Sequence, residues 1–330
     1  MIGITDKVSH VAILGASGFI GKYLVSSLLR EGGYEIKVLS RDMQRDLQEA
    51  RFEHGVEIFE GDISDPESLN GFLLPGCTVI NLVYLWNAGE EQNLTCTHNL
   101  LAACKAAKVA RLIHCSTAAV VGRTPNDRVD EKTPCLPITE YGTTKLQVEQ
   151  QIIDFGKGHF EVVILRPTSV YGIDGEPLKK LAVDISTGNR WKNYLKSCLF
   201  GRRRMNLVHV DNMVAAIQFF SEYKDYLNGE LFIVSDDDDV NNNFIYVERL
   251  LMNVLGVRKY FLPRFQVPLC VLKSLLLLLG RNSVNPHCNF DSSKLRKLGF
   301  KSPVSLNNGL TEYATWYRAL HFNESESRRS

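Results

Sequence analysis

The stretch Val11-Ala12-Ile13-Leu14-Gly15-Ala16-Ser17-Gly18-Phe19-Ile20-Gly21 decides the architecture of this 330-residue chain. Four apolar residues read as a buried strand, the three spaced glycines as a tight turn, and Phe19 opens an amphipathic helix. Such a turn lets backbone N–H groups approach a pyrophosphate, because no Cβ intervenes and the helix N-terminus is partly positive. The second decisive stretch is Tyr141-Gly142-Thr143-Thr144-Lys145. Its tyrosine and lysine fall on one helix face, and an ammonium beside a phenol favours the phenolate, which suits the tyrosine to proton transfer. Upstream, Cys115-Ser116-Thr117 closes the apolar run Leu112-Ile113-His114 and offers hydroxyls to a substrate oxygen.

Working outward, short apolar strands near 8–14, 35–39, 56–59, 78–82, 111–115 and 162–166 alternate with helices near 19–30, 91–107 and 141–155. That alternation predicts an α/β fold with a doubly wound parallel sheet, its ligand at the carboxyl ends of the strands. Beyond 171 the pattern loosens, with a strand at 208–210, a helix at 212–222 and a strand at 231–234. We expect a dinucleotide-binding domain over 1–172 and a smaller C-terminal α/β substrate lobe over 173–330, some elements returning to the first domain. The tail 324–330 reads as frayed.

Thirty-eight Lys and Arg balance thirty-seven Asp and Glu, which argues against a nucleic-acid binder. Eight scattered cysteines without Cys-x-x-Cys spacing read as buried thiols. Asn93 and Asn323 match glycosylation acceptors by pattern only. Asp236-Asp237-Asp238-Asp239 reads as a solvated loop, since it lacks the spaced ligands of a calcium loop, and no metal is expected. The apolar run 269–279 is interrupted by Lys273 and is too short to span a bilayer, which takes about 20 residues. With no secretory leader pattern, the expected location is the cytoplasm, with peripheral membrane contact through 267–280.

These motifs, in this order, resemble the extended short-chain dehydrogenase/reductase family, the group with NAD-dependent sugar epimerases and dehydratases. The resemblance runs through Gly61-Asp62-Ile63, Asn81-Leu82-Val83, Ser116 to Gly122, Tyr141 to Lys145, Arg166 to Gly172, Val208 to Asn212 and Leu298-Gly299-Phe300. It implies a Rossmann domain. It also implies a cofactor site from Gly15, Ser17, Gly18, Phe19, Ile20, Gly21, Ser40, Arg41, Asp62, Ile63, Leu82, Val83, Tyr84, Lys145, Pro167 and Ser169. Thr117 then holds the substrate oxygen, with Ser116 as the neighbouring alternative. Tyr141 is the general acid/base, and Lys145 binds the ribose and tunes the tyrosine.

NAD-specific relatives carry an acid where Ser40 stands. Here a small hydroxyl precedes Arg41, which can pair a 2′-phosphate, so NADP(H) is favoured and NAD(H) remains open, with Asp42 as the residue that could reverse the preference. Dehydratase and decarboxylase relatives carry acids after the threonine; Ala118 and Ala119 cannot protonate a leaving hydroxyl, which disfavours 4,6-dehydration and decarboxylation. Epimerisation or net reduction at a carbinol or ketone carbon remains.

Between 173 and 210, eight Lys and Arg face three acids, a net of +5. An anionic small-molecule substrate follows, most simply a nucleotide-linked sugar, with Arg203, Arg204 and His209 as candidate contacts. Met205 stands where nucleotide-sugar relatives place a phosphate-binding arginine. That mismatch keeps open a hydroxysteroid- or flavonoid-like reductase of an apolar ketone. A non-catalytic NADP sensor is the third reading. Apolar residues on several faces of the two helices, among them Leu100, Leu101, Leu146, Val148 and Ile152, predict a homodimer.

Overall fold

The computed structural model describes residues 9–49, 51–52, 54–227, 229–278 and 285–327. In chain order the elements are β1 (Ser9–Leu14), α1 (Phe19–Glu31), β2 (Tyr34–Ser40), α2 (Met43–Gln48), β3 (Val56–Glu60), β4 (Thr78–Asn81), α3 (Glu90–Ala107), β5 (Arg111–Cys115), β6 (Arg128–Val129), α4 (Glu140–Gly156), β7 (Glu161–Pro167) and β8 (Ser169–Tyr171). There follow α5 (Lys179–Thr187), α6 (Arg190–Phe200), β9 (Leu207–His209), α7 (Val210–Glu222), β10 (Glu230–Val234), α8 (Phe244–Val254), α9 (Leu269–Leu278), β11 (Asn289–Phe290), α10 (Ser293–Lys297) and α11 (Leu306–Ser327). Positions 8, 279–280 and 328–330 of the expected segments lie outside the described residues. Residues 324–327, expected to fray, continue α11.

The chain forms two compact units. One holds the chain up to residue 120 with 137–166 and 214–232, the other 121–136, 167–213 and 233 onward. In the first unit the sheet runs β10-β7-β5-β4-β1-β2-β3. Its strands are parallel, and Gly229 donating to Val162 while Thr168 donates to Val234 sets β10 in the same sense. Every residue of β5 is buried, as parallel strands covered on both faces require. Strand order reverses between β1 and β4, the place where such sheets open a crevice.

Leu100, Leu101, Val148 and Ile152 are buried in this unit's own core beside Leu14, Val79 and Ile164. The protomer itself therefore covers four of the five residues from which a homodimer was expected. Asn93, the glycosylation match, is also buried.

The second unit packs Tyr171, Leu207, Leu251, Leu310 and Tyr313 into its own core, with paired strands β8–β9 and β6–β11. The aspartate run is not the solvated loop expected. Asp236 and Asp237 are 6 % and 0 % exposed. Asp236 accepts from the His209 N–H and the Asn212 amide, and Asp237 accepts from Asn206, Asn242 and the Phe290 N–H. Several otherwise orphaned donors converge there, and carboxylates satisfy them. Burial still pushes both carboxyls up to about 6, against those hydrogen bonds.

Candidate active site

Register aligns the site. Leu14 pairs with Asn81, and Asn81 with His114, so β1, β4 and β5 end in one row. Gly15, the Leu82-Val83-Tyr84 segment and Cys115-Ser116-Thr117 therefore leave the sheet along one edge. Gly15 has φ +83°, and a Cβ on it would stand 3.2 Å from the Leu82 carbonyl carbon and 3.3 Å from the Val83 nitrogen. Gly18 N–H closes the turn on the Gly15 carbonyl at 3.0 Å. A Cβ at Gly21 would fall well inside 3.0 Å of the Gly15 and Ala16 carbonyls.

Gly18 is the N-cap of α1, with no side-chain cap and no acid in the first turn. By contrast Asp42 caps α2 and Thr139 caps α4. Uncapped N–H groups behind a glycine turn fit a dinucleotide pyrophosphate. Ser17 and Gly18 are exposed at this turn, with Phe19 and Ile20 half-buried as α1 begins.

At the end of β2, Ser40 is buried and donates to Asp46 at 2.5 Å. Asp46 is also paired with Arg51, while Arg41 is exposed. Asp42, which could have favoured NAD, accepts the Arg45 N–H as a helix cap. Asp62 caps its own loop, accepting both the N–H and the hydroxyl of Ser64. Burial works to raise its carboxyl, but those bonds and Arg41 outweigh it and hold the group below its ordinary value. Ile63 is buried, its carbonyl accepting from Asn99.

The candidate catalytic cluster is set by α4. Gly142 lets the helix lie against the Ala119 carbonyl, 2.9 Å from where a Cβ would stand. A buried ion pair between Arg166 of β7 and Glu149 of α4 fixes the same helix, with N···O 2.5 Å. Lys145 is 3 % exposed and donates to the Cys115 carbonyl at 2.9 Å. Its remaining ammonium hydrogens suit ribose hydroxyls. Ser116 is buried, and its hydroxyl has no partner among the described residues. Thr117 hydrogen-bonds to Tyr141.

The sequence expects Lys145, together with the positive charge of a bound nicotinamide, to ease ionisation of Tyr141. In the protein without its cofactor, burial, then the Cys115 thiol, pushes Tyr141 up to about 12 against the Thr117 bond. Burial lowers Lys145 itself, with Cys115 and Glu149 opposing. The ammonium lies over the Tyr84 ring, 5.4 Å from its centroid.

Trp86 was missed by sequence reasoning. Its indole stacks on Tyr141 with centroids 4.9 Å apart and planes at 17°, while Tyr84 meets both rings edge-on. Asn93 orders this loop, accepting the Leu85 N–H and donating to the carbonyls of Leu85 and Gly89. The readable signal was the aromatic Tyr84-Leu85-Trp86 directly after an apolar strand.

Pro167 and Ser169 belong to the second unit, where the Ser169 N–H donates to the Asn206 carbonyl. Arg203 and Arg204 line a cavity of about 410 Å³ with Lys180, Lys196, Phe200 and Phe244, and with the acids Asp184, which pairs with Lys196, and Glu248. Arg204 also donates to the Asp239 carbonyl. His209 does not line that cavity. It is buried, with Nδ1 accepting the Asp211 N–H and its ring against Tyr171 and Gly309. Burial lowers its pKa despite Asp211 and Glu312, which favours the neutral imidazole.

The chain is 29 % identical to human short-chain dehydrogenase/reductase family 42E member 1, covering 98 % of this chain and 91 % of that protein. It is 24 % identical to mouse sterol-4-alpha-carboxylate 3-dehydrogenase, decarboxylating, over 83 % of this chain and 76 % of that one. In fold it is similar to the Bordetella bronchiseptica enzyme WbmG in complex with NAD and UDP, at TM-score 0.72 and 21 % identity over 96 % of each chain. A family model matches residues 11–234, a span running from the glycine turn through the Tyr141–Lys145 helix to the last strand of the sheet. The chain belongs to the NAD dependent epimerase/dehydratase family.

Proposed function

We propose that this chain is an NADP(H)-dependent oxidoreductase interconverting a carbinol and a ketone on a substrate with an extended apolar face. Trp86 carries this reading. Its indole is 73 % exposed yet stacked on Tyr141. It forms an apolar wall beside the proton-transfer group, and covering it gains roughly 25 cal/mol per Å². A nicotinamide dinucleotide, when bound, supplies hydride transfer. The chain's own residues do the rest: Thr117 or Ser116 holds the substrate oxygen, Tyr141 gives or takes its proton, and Lys145 holds the ribose.

The similarity to a sterol dehydrogenase over most of both chains supports an apolar substrate. Exposed Arg41, with Asp42 and Asp46 already engaged, supports NADP. Calorimetry should find NADP(H) bound more tightly than NAD(H), with Arg41→Ala narrowing the gap; an NAD preference in the unmutated protein overturns this. Ala118 and Ala119 offer no acid for a leaving hydroxyl, so we assign no 4,6-dehydration. The intact Thr117, Tyr141 and Lys145 argue against a non-catalytic sensor.

A nucleotide-linked sugar, reduced or epimerised, is the second reading. The cavity bearing Lys180, Lys196, Arg203 and Arg204 favours it. NADPH consumption with hydrophobic ketones and with UDP- or dTDP-sugars separates the two. Turnover of ketones, with KM raised in Trp86→Ala, supports the first; turnover of nucleotide sugars alone establishes the second. The expected cytoplasmic location, with membrane contact through 267–280, belongs to this proposal. So does a homodimer, which would use half-exposed Leu94, Leu146 and Ile153 and which light scattering tests.

A further inference from the structure

We propose that α6 and the segment 258–267, continued by α9, form a docking surface for an anionic phospholipid bilayer. The surface is built within the second unit. Arg190 donates to the Arg258 and Lys259 carbonyls, Tyr194 to the Pro263 carbonyl, Arg202 to Gln266, and the Val267 N–H to the Cys198 carbonyl. These bonds clamp the segment along α6 and leave Phe261 99 % and Phe265 76 % exposed. One turn apart on α6, Trp191 and Leu195 are also exposed, as are Val271 and Leu278 of α9. Large side chains held outward on a tied loop gain nothing from the protein's own core.

Charge identifies the occupant. No acid occurs from 249 to 290, where Arg249, Arg258, Lys259, Arg264, Lys273 and Arg281 stand, and none from 185 to 210. Beside the exposed rings lies a cavity of about 410 Å³ lined by Arg249, Lys259, Arg264 and Tyr260 and by no acid. Glu248, buried behind Tyr260, holds that tyrosine's hydroxyl and lies 3.7 Å from Arg264. Exposed apolar tips with Arg258, Lys259 and Arg264 beside them on the same segment match the layering of a bilayer surface, with acyl chains beneath a sheet of phosphates. A second copy of this chain would bring like charges together. Among the described residues no helix is long and apolar enough to cross a membrane, so the contact is peripheral. It does not depend on the substrate assigned to Tyr141.

The test is flotation of the full chain with vesicles of phosphatidylcholine alone or mixed with phosphatidylserine. The protein should float with the anionic vesicles only, and added salt should weaken binding. Phe261→Asp/Phe265→Asp should lower binding about tenfold or more, and Arg258→Glu/Lys259→Glu should abolish the preference for phosphatidylserine. Both variants should keep the thermal stabilisation given by NADP(H), which shows them folded. The proposal is overturned by absence of flotation with either vesicle, or by unchanged flotation of the phenylalanine variant. It is also overturned if wild type ignores vesicles but is a dimer that this variant dissociates, since the face then belongs to a second copy. NADPH turnover reports separately on Tyr141.

Discussion

In the proposed reaction Tyr141 acts as a proton donor before it acts as a base. Burial holds its phenol near 12 in the free protein, so at neutral pH it is fully protonated and ready to protonate a developing alkoxide. Through Tyr141 alone, ketone reduction should be flat across neutrality and carbinol oxidation should climb about tenfold per pH unit until the phenol ionises. Initial rates in both directions over a pH series check this. Tyr141→Phe should keep NADP(H) binding and lose roughly 10²–10⁴ in turnover; retained activity rejects the assignment. Asp237 makes a stability prediction of definite sign. Its folded pKa, about 6, lies above the ordinary 3.8, so the folded state binds the extra proton and stability drops as pH rises between those values. Wild type should lose on the order of 1–3 kcal/mol relative to Asp237→Asn across that window, whatever the variant's absolute cost. Melting curves of the pair at several pH values measure the difference.

At the scale of elements, the β1–α1 turn is where conformation and cofactor meet. Gly21→Ala would press a methyl against the Gly15 and Ala16 carbonyls, which are backbone and cannot swing aside. We expect NADP(H) affinity to fall about tenfold or more with the sheet intact, read by calorimetry beside circular dichroism. This turn was legible in the sequence because its chemistry is local: a strand, three glycines and a helix start. That Tyr141 and Lys145 share the helix α4 was legible for the same reason. What escaped is made by partners distant in sequence. Trp86 meets Tyr141 only because β4 and β5 end in one row. Asp236 and Asp237 find their donors on β9, α7 and the 289–290 strand, so four consecutive acids looked like a solvated loop. Helical periodicity showed apolar residues on several faces of α3 and α4, yet could not say that their own sheet covers Leu100, Leu101, Val148 and Ile152.

At the scale of the whole molecule, the two readings of the substrate place its binding energy on different chemistry. An apolar ligand draws on the Trp86 face; a nucleotide sugar draws on Lys180, Lys196, Arg203 and Arg204. A ligand that binds only the folded protein raises stability by RT ln(1 + [L]/Kd), so the NADP-bound chain reports the choice through its melting temperature. We expect hydrophobic ring ketones to raise it and Trp86→Ala to remove the shift, while UDP and dTDP leave it unchanged. The opposite pattern carries its own signature. A nucleotide-induced shift that salt weakens and Arg203→Glu/Arg204→Glu removes, with NADP(H) affinity preserved, would assign the basic cavity to a pyrophosphate and displace the ketone reading.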